Sequence, residues 1–332
     1  MRVIAEIGNA NGDLRYALDA VDQFADAGVW AIKGQMYRAD TLVTRTAKPY
    51  GNRIKEPATQ WEAFSKQLSR YDWAKVHEAC EEKGVLFFGS VFDLEAIDLA
   101  VFDKWPYIKL ASADITYRGL IEAAAYTGIP LIMSTGAATS TEIGRAIKWA
   151  QHAYQDVDVT LMVCTLSYPT LHRDANLARI ETMRRLFTRP VGYSDHTRDI
   201  DVTTRALQHW DAWCVEKHVT LTPNGGGDHD FAATPSDIRL LMEGKATTDN
   251  VAVDGSPVIR ILDCELAARS QARRSLHASR DLRPGEQLTV DNVKIVRPGD
   301  GIDPWLHLDM LGMCVTQPVA ADAPITRDLV TE

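Results

Sequence analysis

Two histidines, His196 and His218, stand 22 residues apart, each closing a short apolar run. The first ends Val191-Gly192-Tyr193-Ser194-Asp195-His196 and the second ends Trp213-Cys214-Val215-Glu216-Lys217-His218. Ile200–His209 between them has a helical pattern, so the stretch reads as one βαβ unit with parallel neighbouring strands. The two imidazoles then project from the same end of a sheet. Neutral imidazole suits a divalent transition metal, and two protein ligands leave positions open for water and substrate. The plainer alternative is two unrelated polar residues at strand ends.

Further polar residues follow the other apolar runs: Glu6, Lys33, Ser90, Lys109 with Ser112 and Asp114, Ser134 with Thr135, Tyr168, and Ser194. Lysines emerging from buried parallel strands are costly unless they meet anions, and phosphate or carboxylate would satisfy them. Ser90, Ser112 and Ser134 offer hydroxyl donors. The residues therefore suggest an anionic substrate clamped by Lys33 and Lys109 near a metal on His196 and His218, with Glu6 or Asp114 managing a proton. Each has a plainer reading: strand-end charges can be solvated, Ser140 with Thr141 can cap a helix, and Asp195 can cap or orient His196.

Eight apolar runs must carry these groups: Val3–Ile7, Val29–Lys33, Val85–Gly89, Tyr107–Ala111, Pro130–Ser134, Val159–Cys164, Val191–Ser194 and Trp213–Lys217. Eight amphipathic stretches alternate with them, from Leu14–Ala27 to Ser236–Lys245. That count predicts an α/β fold of the (β/α)₈ TIM-barrel type, in which chemistry sits at the C-terminal strand ends. An open doubly wound sheet is the alternative, but no Gly-x-Gly-x-x-Gly follows the first strand. Met36–Arg70 is a long polar insertion after the second run, and Thr247–Pro257 is a linker pattern followed by a helix over Arg260–Arg269. From Ser275 short β-like pieces alternate with Pro/Gly turns. The expected domains are a barrel over 1–246, a linker over 247–272 and a small, mostly β domain over 273–332.

Composition narrows the function classes. The net charge of −9 argues against nucleic-acid binding, which needs clustered cations, and 45% hydrophobic content suits a globular core. No apolar run is long enough to span a bilayer, so no membrane partner is expected. Five scattered cysteines without a Cys-x-x-Cys pair fit reduced thiols, and the expected compartment is the cytoplasm.

The same residues resemble the sialic acid synthases. The likeness runs almost end to end: Ala5-Glu6-Ile7-Gly8 with Asn11-Gly12, Lys33-x-Gln35, Tyr107-Ile108-Lys109-x-x-Ser112, Ser134-Thr135-Gly136, Cys164-Thr165-x-x-Tyr168-Pro169-Thr170, Gly192-Tyr193-Ser194-Asp195-His196-Thr197 and Glu216-Lys217-His218. Arg273-Arg274-Ser275-Leu276 through Arg297-Pro298-Gly299-x-Gly301-Ile302 resembles that family's antifreeze-like (SAF) domain. The resemblance implies a TIM barrel plus SAF domain in a domain-swapped homodimer. It implies condensation of phosphoenolpyruvate with an N-acetylmannosamine-type sugar or related aldehyde, giving a 2-keto-3-deoxy acid and phosphate. Lys33, Ser90, Lys109, Ser112 and Ser134 would bind phosphoenolpyruvate, with Ser194 beside them. His196 and His218 would hold Mn²⁺, with Mg²⁺ or Co²⁺ as alternatives. Tyr168 and Asp228 would contact the sugar, and Arg297 would arrive from the partner's small domain.

Several positions depart from the family pattern. Asp114 stands where Glu is usual, and Ser90-Val91-Phe92 lacks a proline. Leu166 replaces an Asn or Ser, Gly225-Gly226-Gly227 precedes Asp228 in place of Pro-Gly-Pro, and Gly34 follows Lys33 where a large residue is usual. Most of these changes fall on the expected acceptor side, which leaves two other readings: a metal-dependent aldolase or lyase on the same barrel, and a non-catalytic sugar-acid-binding homologue.

Overall fold

The computed structural model describes residues 1–8, 10–50, 59–223, 225–245 and 253–332. Eight strands close into a parallel barrel in sequence order: β1 Val3–Glu6, β2 Ala31–Met36, β3 Leu86–Val91, β4 Ile108–Leu110, β5 Leu131–Ser134, β6 Val159–Cys164, β7 Val191–Asp195 and β8 Val215–His218. β1 pairs with both β2 and β8, which completes the closure. The strands are almost wholly buried because barrel side chains fill the interior and helices cover the outside. The observed β2 lies two to three residues further along the chain than the expected run, so Lys33 is an interior strand residue opposite Glu6.

Helices return the chain between strands, and several begin with reciprocal caps. Ser69 with Asp72, Thr139 with Glu142 and Thr234 with Asp237 each exchange side-chain and backbone hydrogen bonds. Such a cap contributes about 1 kcal/mol. The helix over 140–153 is capped by Thr139, one residue before the expected Ser140. The helix expected over Arg260–Arg269 forms at Leu266–Ala272 instead, after a 3₁₀ turn at Asp263–Glu265. The boundary expected between residues 246 and 247 lies outside the described residues, as do part of the 247–257 linker and residues 51–58 of the 36–70 insertion.

The small domain has its own core, built on Leu276, Leu282, Leu288, Val293, Ile302, Val315 and Ile325. Its main pairing is antiparallel, β9 Ser275–Ala278 with β10 Val293–Val296. It sits over the C-terminal mouth of the same chain's barrel. Arg297 exchanges backbone hydrogen bonds with Leu42 and Thr44 of the insertion, and Arg273 donates to Thr116 Oγ1 and Ala137 O. Among the described residues no helix is long and apolar enough to cross a membrane.

Candidate active site

The C-terminal strand ends and the small domain enclose one cavity of about 640 Å³. Its floor is ionic. Lys33 Nζ is hydrogen-bonded to Glu6 and donates to Ser90 Oγ at 2.9 Å. Lys109 Nζ donates to Ser134 Oγ at 2.6 Å. Glu216 of β8 lies between the lysines, with Oε1 3.6 Å from Lys33 Nζ and Oε2 3.8 Å from Lys109 Nζ. Register produces this cluster, since Glu6 pairs with Lys33 and His218, Ser90 with Lys109, and Ser194 with Glu216.

The electrostatics leave this floor ready for an anion. Burial pulls the Lys33 pKa down, but Glu216 and Glu6 outweigh it and hold Lys33 above the ordinary lysine value. Lys109 is pushed below that value by burial, with repulsion from Lys33 added, and Glu216 offsets this only in part. A phosphate or carboxylate beside Lys109 would favour its charged form. Burial favours the neutral form of Glu216, yet Lys109 and Lys33 overcome it and hold the group ionised. Among the described residues its Oε2 accepts no hydrogen bond. Ser112 Oγ accepts the Gly136 N–H at 2.9 Å.

Beside this floor is an aromatic corner. The His196 and His218 rings lie 5.5 Å apart between centroids; Tyr168 is 4.3 Å from His196, and Phe231 is 5.3 Å from His218. His196 Nδ1 lies 3.0 Å from the Thr165 carbonyl, which assigns its proton to Nδ1 and the lone pair to Nε2. Burial lowers the pKa of both rings, that of His218 to about 3, so both are neutral near pH 7. Asp228 Oδ2 lies 3.8 Å from His218 Nδ1. Two neutral imidazoles are the donor type a divalent metal takes. No group of three or more His, Cys, Asp or Glu side chains converges among the described residues. This pair is what the chain could offer a divalent metal, with the remaining positions left to water or other ligands.

Of the residues singled out in the sequence, Lys33, Ser90, Lys109, Ser112, Ser134, Tyr168, Ser194, His196, His218, Asp228 and Arg297 line the cavity. Glu6 and Asp114 do not. Glu6 is spent on Lys33 and the Gly8 N–H. Asp114 sits on the 3₁₀ turn Ser112–Asp114, where its carboxylate faces the small domain and accepts from Arg274 Nε at 2.6 Å. Both side chains of that ion pair are at most 1% exposed. The expectation that Asp114 guides water is therefore revised: it anchors the domain above the site. Arg297 was expected from a partner chain, but here it comes from the chain's own small domain. Its guanidinium lies 5.4 Å from the Phe64 ring centroid and 5.8 Å from that of Phe92.

Glu216 is the site residue that the sequence reading passed over. Strand alternation could have found it, because residues 216 and 218 share one face and residue 217 faces the other. The pleat also answers the question about Asp195, which neither caps a helix nor orients His196. It holds Lys217 at 3.0 Å and accepts from Thr197 and Thr203. Two departures have local causes. A Cβ at residue 34 would meet the Trp73 ring at 2.5 Å, so Gly34 leaves room for that indole behind the barrel wall, away from the cavity. Gly226 and Gly227 adopt φ of +85° and +58°, which glycine tolerates best, on the turn that delivers Asp228.

Comparisons with known proteins agree with this architecture. The chain is 34% identical to the N,N'-diacetyllegionaminic acid synthase of Legionella pneumophila, over 96% of this chain and 91% of that protein. It is 29% identical to the pseudaminic acid synthase of Helicobacter pylori, over 98% and 97%. The crystal structure of the Bacillus subtilis spore coat polysaccharide biosynthesis protein spsE superposes with a TM-score of 0.83 at 25% identity, covering 100% of this chain and 95% of that one. The NeuB family model matches residues 20–256 and the SAF domain model residues 273–331. An anion-ready barrel mouth with a histidine pair, roofed by a SAF domain, is thus the work of a chain that belongs to the NeuB family.

Proposed function

We propose that this chain joins phosphoenolpyruvate to the aldehyde of an N-acylated amino sugar, releasing phosphate and a sialic-acid-like 2-keto-3-deoxy acid. The observation that carries the reading is the pair of buried ammonium groups, Lys33 and Lys109, each bonded to a serine hydroxyl on a cavity that also holds two neutral imidazoles. Relatives named as legionaminic and pseudaminic acid synthases support it.

Lys109, Lys33 and the hydroxyls of Ser90, Ser112 and Ser134 bind the phosphate and carboxylate and stabilise their charge as C3 attacks the aldehyde carbon. The attack leaves C2 cationic. Water adds there, and Glu216, the ionised carboxylate on the cavity floor, is placed to accept its proton. The adduct then collapses with cleavage of the C2–O bond to phosphate. Tyr168 and Asp228 orient the sugar, and the small domain excludes bulk water. A divalent cation held by His196 and His218, Mn²⁺ by preference, would polarise the acceptor carbonyl as a Lewis acid.

The test is phosphate release from phosphoenolpyruvate with Mn²⁺ and a panel of N-acylhexosamines. Release that depends on one acceptor and is lost in His218→Ala supports the reading; pyruvate formation without phosphate points to a lyase and overturns it. The proposal includes a cytoplasmic setting, supported by five unpaired cysteines of which three are buried. It also includes a homodimer, since exchanging the small domain would make these same contacts between two chains. Co-refolding Lys109→Ala with Arg297→Ala tests that exchange: an exchanged dimer regains one intact site, whereas unexchanged chains stay inactive.

A further inference from the structure

We infer that the acceptor presses a methyl group against the wall formed by Leu166; the inference rests on the synthase reading above. Leu166 is 5% exposed and lines the cavity, in an apolar cluster with Ala137 and Ala268 against which Tyr50 and Tyr168 pack. Its position is set from two sides. Built on Gly136, a Cβ would lie 3.0 Å from Ser112 Oγ, 3.2 Å from Cys164 Sγ and 3.3 Å from Leu166 Cβ, so Leu166 borders the anion floor. Tyr168, which packs against the same cluster, has its ring 4.3 Å from that of His196 between centroids, tilted by 42°. The wall therefore stands where donor and acceptor meet.

Two backbone donors of this wall are already engaged. The N–H groups of Leu166 and Ala137 both donate to Glu265 Oε1, at 2.9 and 2.7 Å. Glu265 is completely buried and turns both donors away from the cavity. A ligand hydroxyl held against Leu166 would lose water and gain no partner from the leucine or from those N–H groups. Asp228, His229 and Asn11 form a polar group in the lining, with Asn11 Nδ2 3.1 Å from His229 Nε2, and a second apolar patch of Tyr37, Leu42, Phe64 and Phe92 lies beside Arg297. The polar group suits hydroxyls, and the Leu166 wall is the apolar face that borders both the anion floor and Tyr168. Two groups on an amino sugar supply that chemistry: a terminal deoxy carbon and the methyl of an N-acetyl group.

The experiment compares kcat/KM for N-acetylmannosamine, its 6-deoxy analogue and its N-glycolyl analogue, each with saturating phosphoenolpyruvate and Mn²⁺. A deoxy carbon on the wall makes the 6-deoxy sugar the better substrate by about tenfold or more; an acetyl methyl there makes the N-glycolyl sugar worse by a similar factor, within the range an apolar pocket achieves against an added hydroxyl. Leu166→Asn should shrink the responding ratio to about threefold or less while leaving KM for phosphoenolpyruvate near the wild-type value, and Leu166→Ser serves if the asparagine variant does not fold. Three acceptors of equal efficiency would overturn the inference and leave the synthase reading standing, and so would a preference that both variants retain. No phosphate from any acceptor would overturn the synthase reading, and the inference with it.

Discussion

Lys109 and Lys217 are both lysines of barrel strands, both almost inaccessible, and each faces a carboxylate, yet they belong to different economies of charge. Lys109 faces Glu216 at 3.8 Å across the floor of an open cavity, and its charge is under-compensated. Lys217 faces Asp195 at 3.0 Å behind the barrel wall, where Thr197 and Thr203 complete the carboxylate's hydrogen bonds. The first cluster can admit a guest; the second is closed. Glu216 and Lys217 are chain neighbours, and the strand's alternation alone sends one to the cavity and the other to the wall behind it. Residue type and burial therefore do not identify a catalytic charge. What distinguishes it is compensation left incomplete toward a cavity.

Substitutions can break that contrast. Lys109→Met should cut turnover by about 10³-fold while the urea midpoint stays near the wild-type value, as expected for a lost charge-stabilising group. Steady-state phosphate release and a urea melt on the same preparation check it. Lys217→Met should do the reverse: it leaves Asp195 buried and unpaired, so unfolding free energy should fall by about 3–5 kcal/mol while turnover per folded molecule changes little. Matching profiles for the two variants would erase the distinction. Asp114→Asn should lower kcat/KM by only about tenfold, because it weakens one charged hydrogen bond to Arg274 and loosens the roof without touching the floor. Faster proteolysis between the two domains should accompany that loss.

The smallest effect concerns Glu142, which joins the barrel to the linker helix through Arg269 at 2.7 Å. Burial raises its pKa, but the Arg269 hydrogen bond, the Arg273 charge and the Thr139 N–H outweigh burial and set it below the ordinary value of 4.5. Its folded-state value is depressed, so its contribution is complete above about pH 4.5 and is lost as pH falls through the native value. The urea midpoint should therefore decline on acidification in that window, and Glu142→Gln should flatten the decline.

The barrel was legible because each strand and helix writes its own period, and eight repeats of that pattern leave few architectures. The histidine pair was legible for the same reason: one βαβ unit places both. Side-chain company was less so. Asp114 reads as a proton-managing group because it is a carboxylate at a strand end, but its partner Arg274 lies 160 residues away and no local pattern reports it. Glu216 was hidden behind the more suggestive Lys217 and His218 that follow it, although counting by twos from His218 reaches it. The cap at Thr139 was misplaced by one residue because Thr139, Ser140 and Thr141 are all competent and only backbone geometry selects among them.

The glycine beneath the Trp73 indole carries a consequence for how such chains diverge. Residues 34 and 73 share one parcel of space behind the strand, so neither can be read or replaced alone. A bulkier residue at 34 demands a smaller one at 73, and that exchange can proceed while Lys33 keeps its place facing inward. The outer wall can thus be rewritten in matched pairs over generations without disturbing the chemistry one residue away.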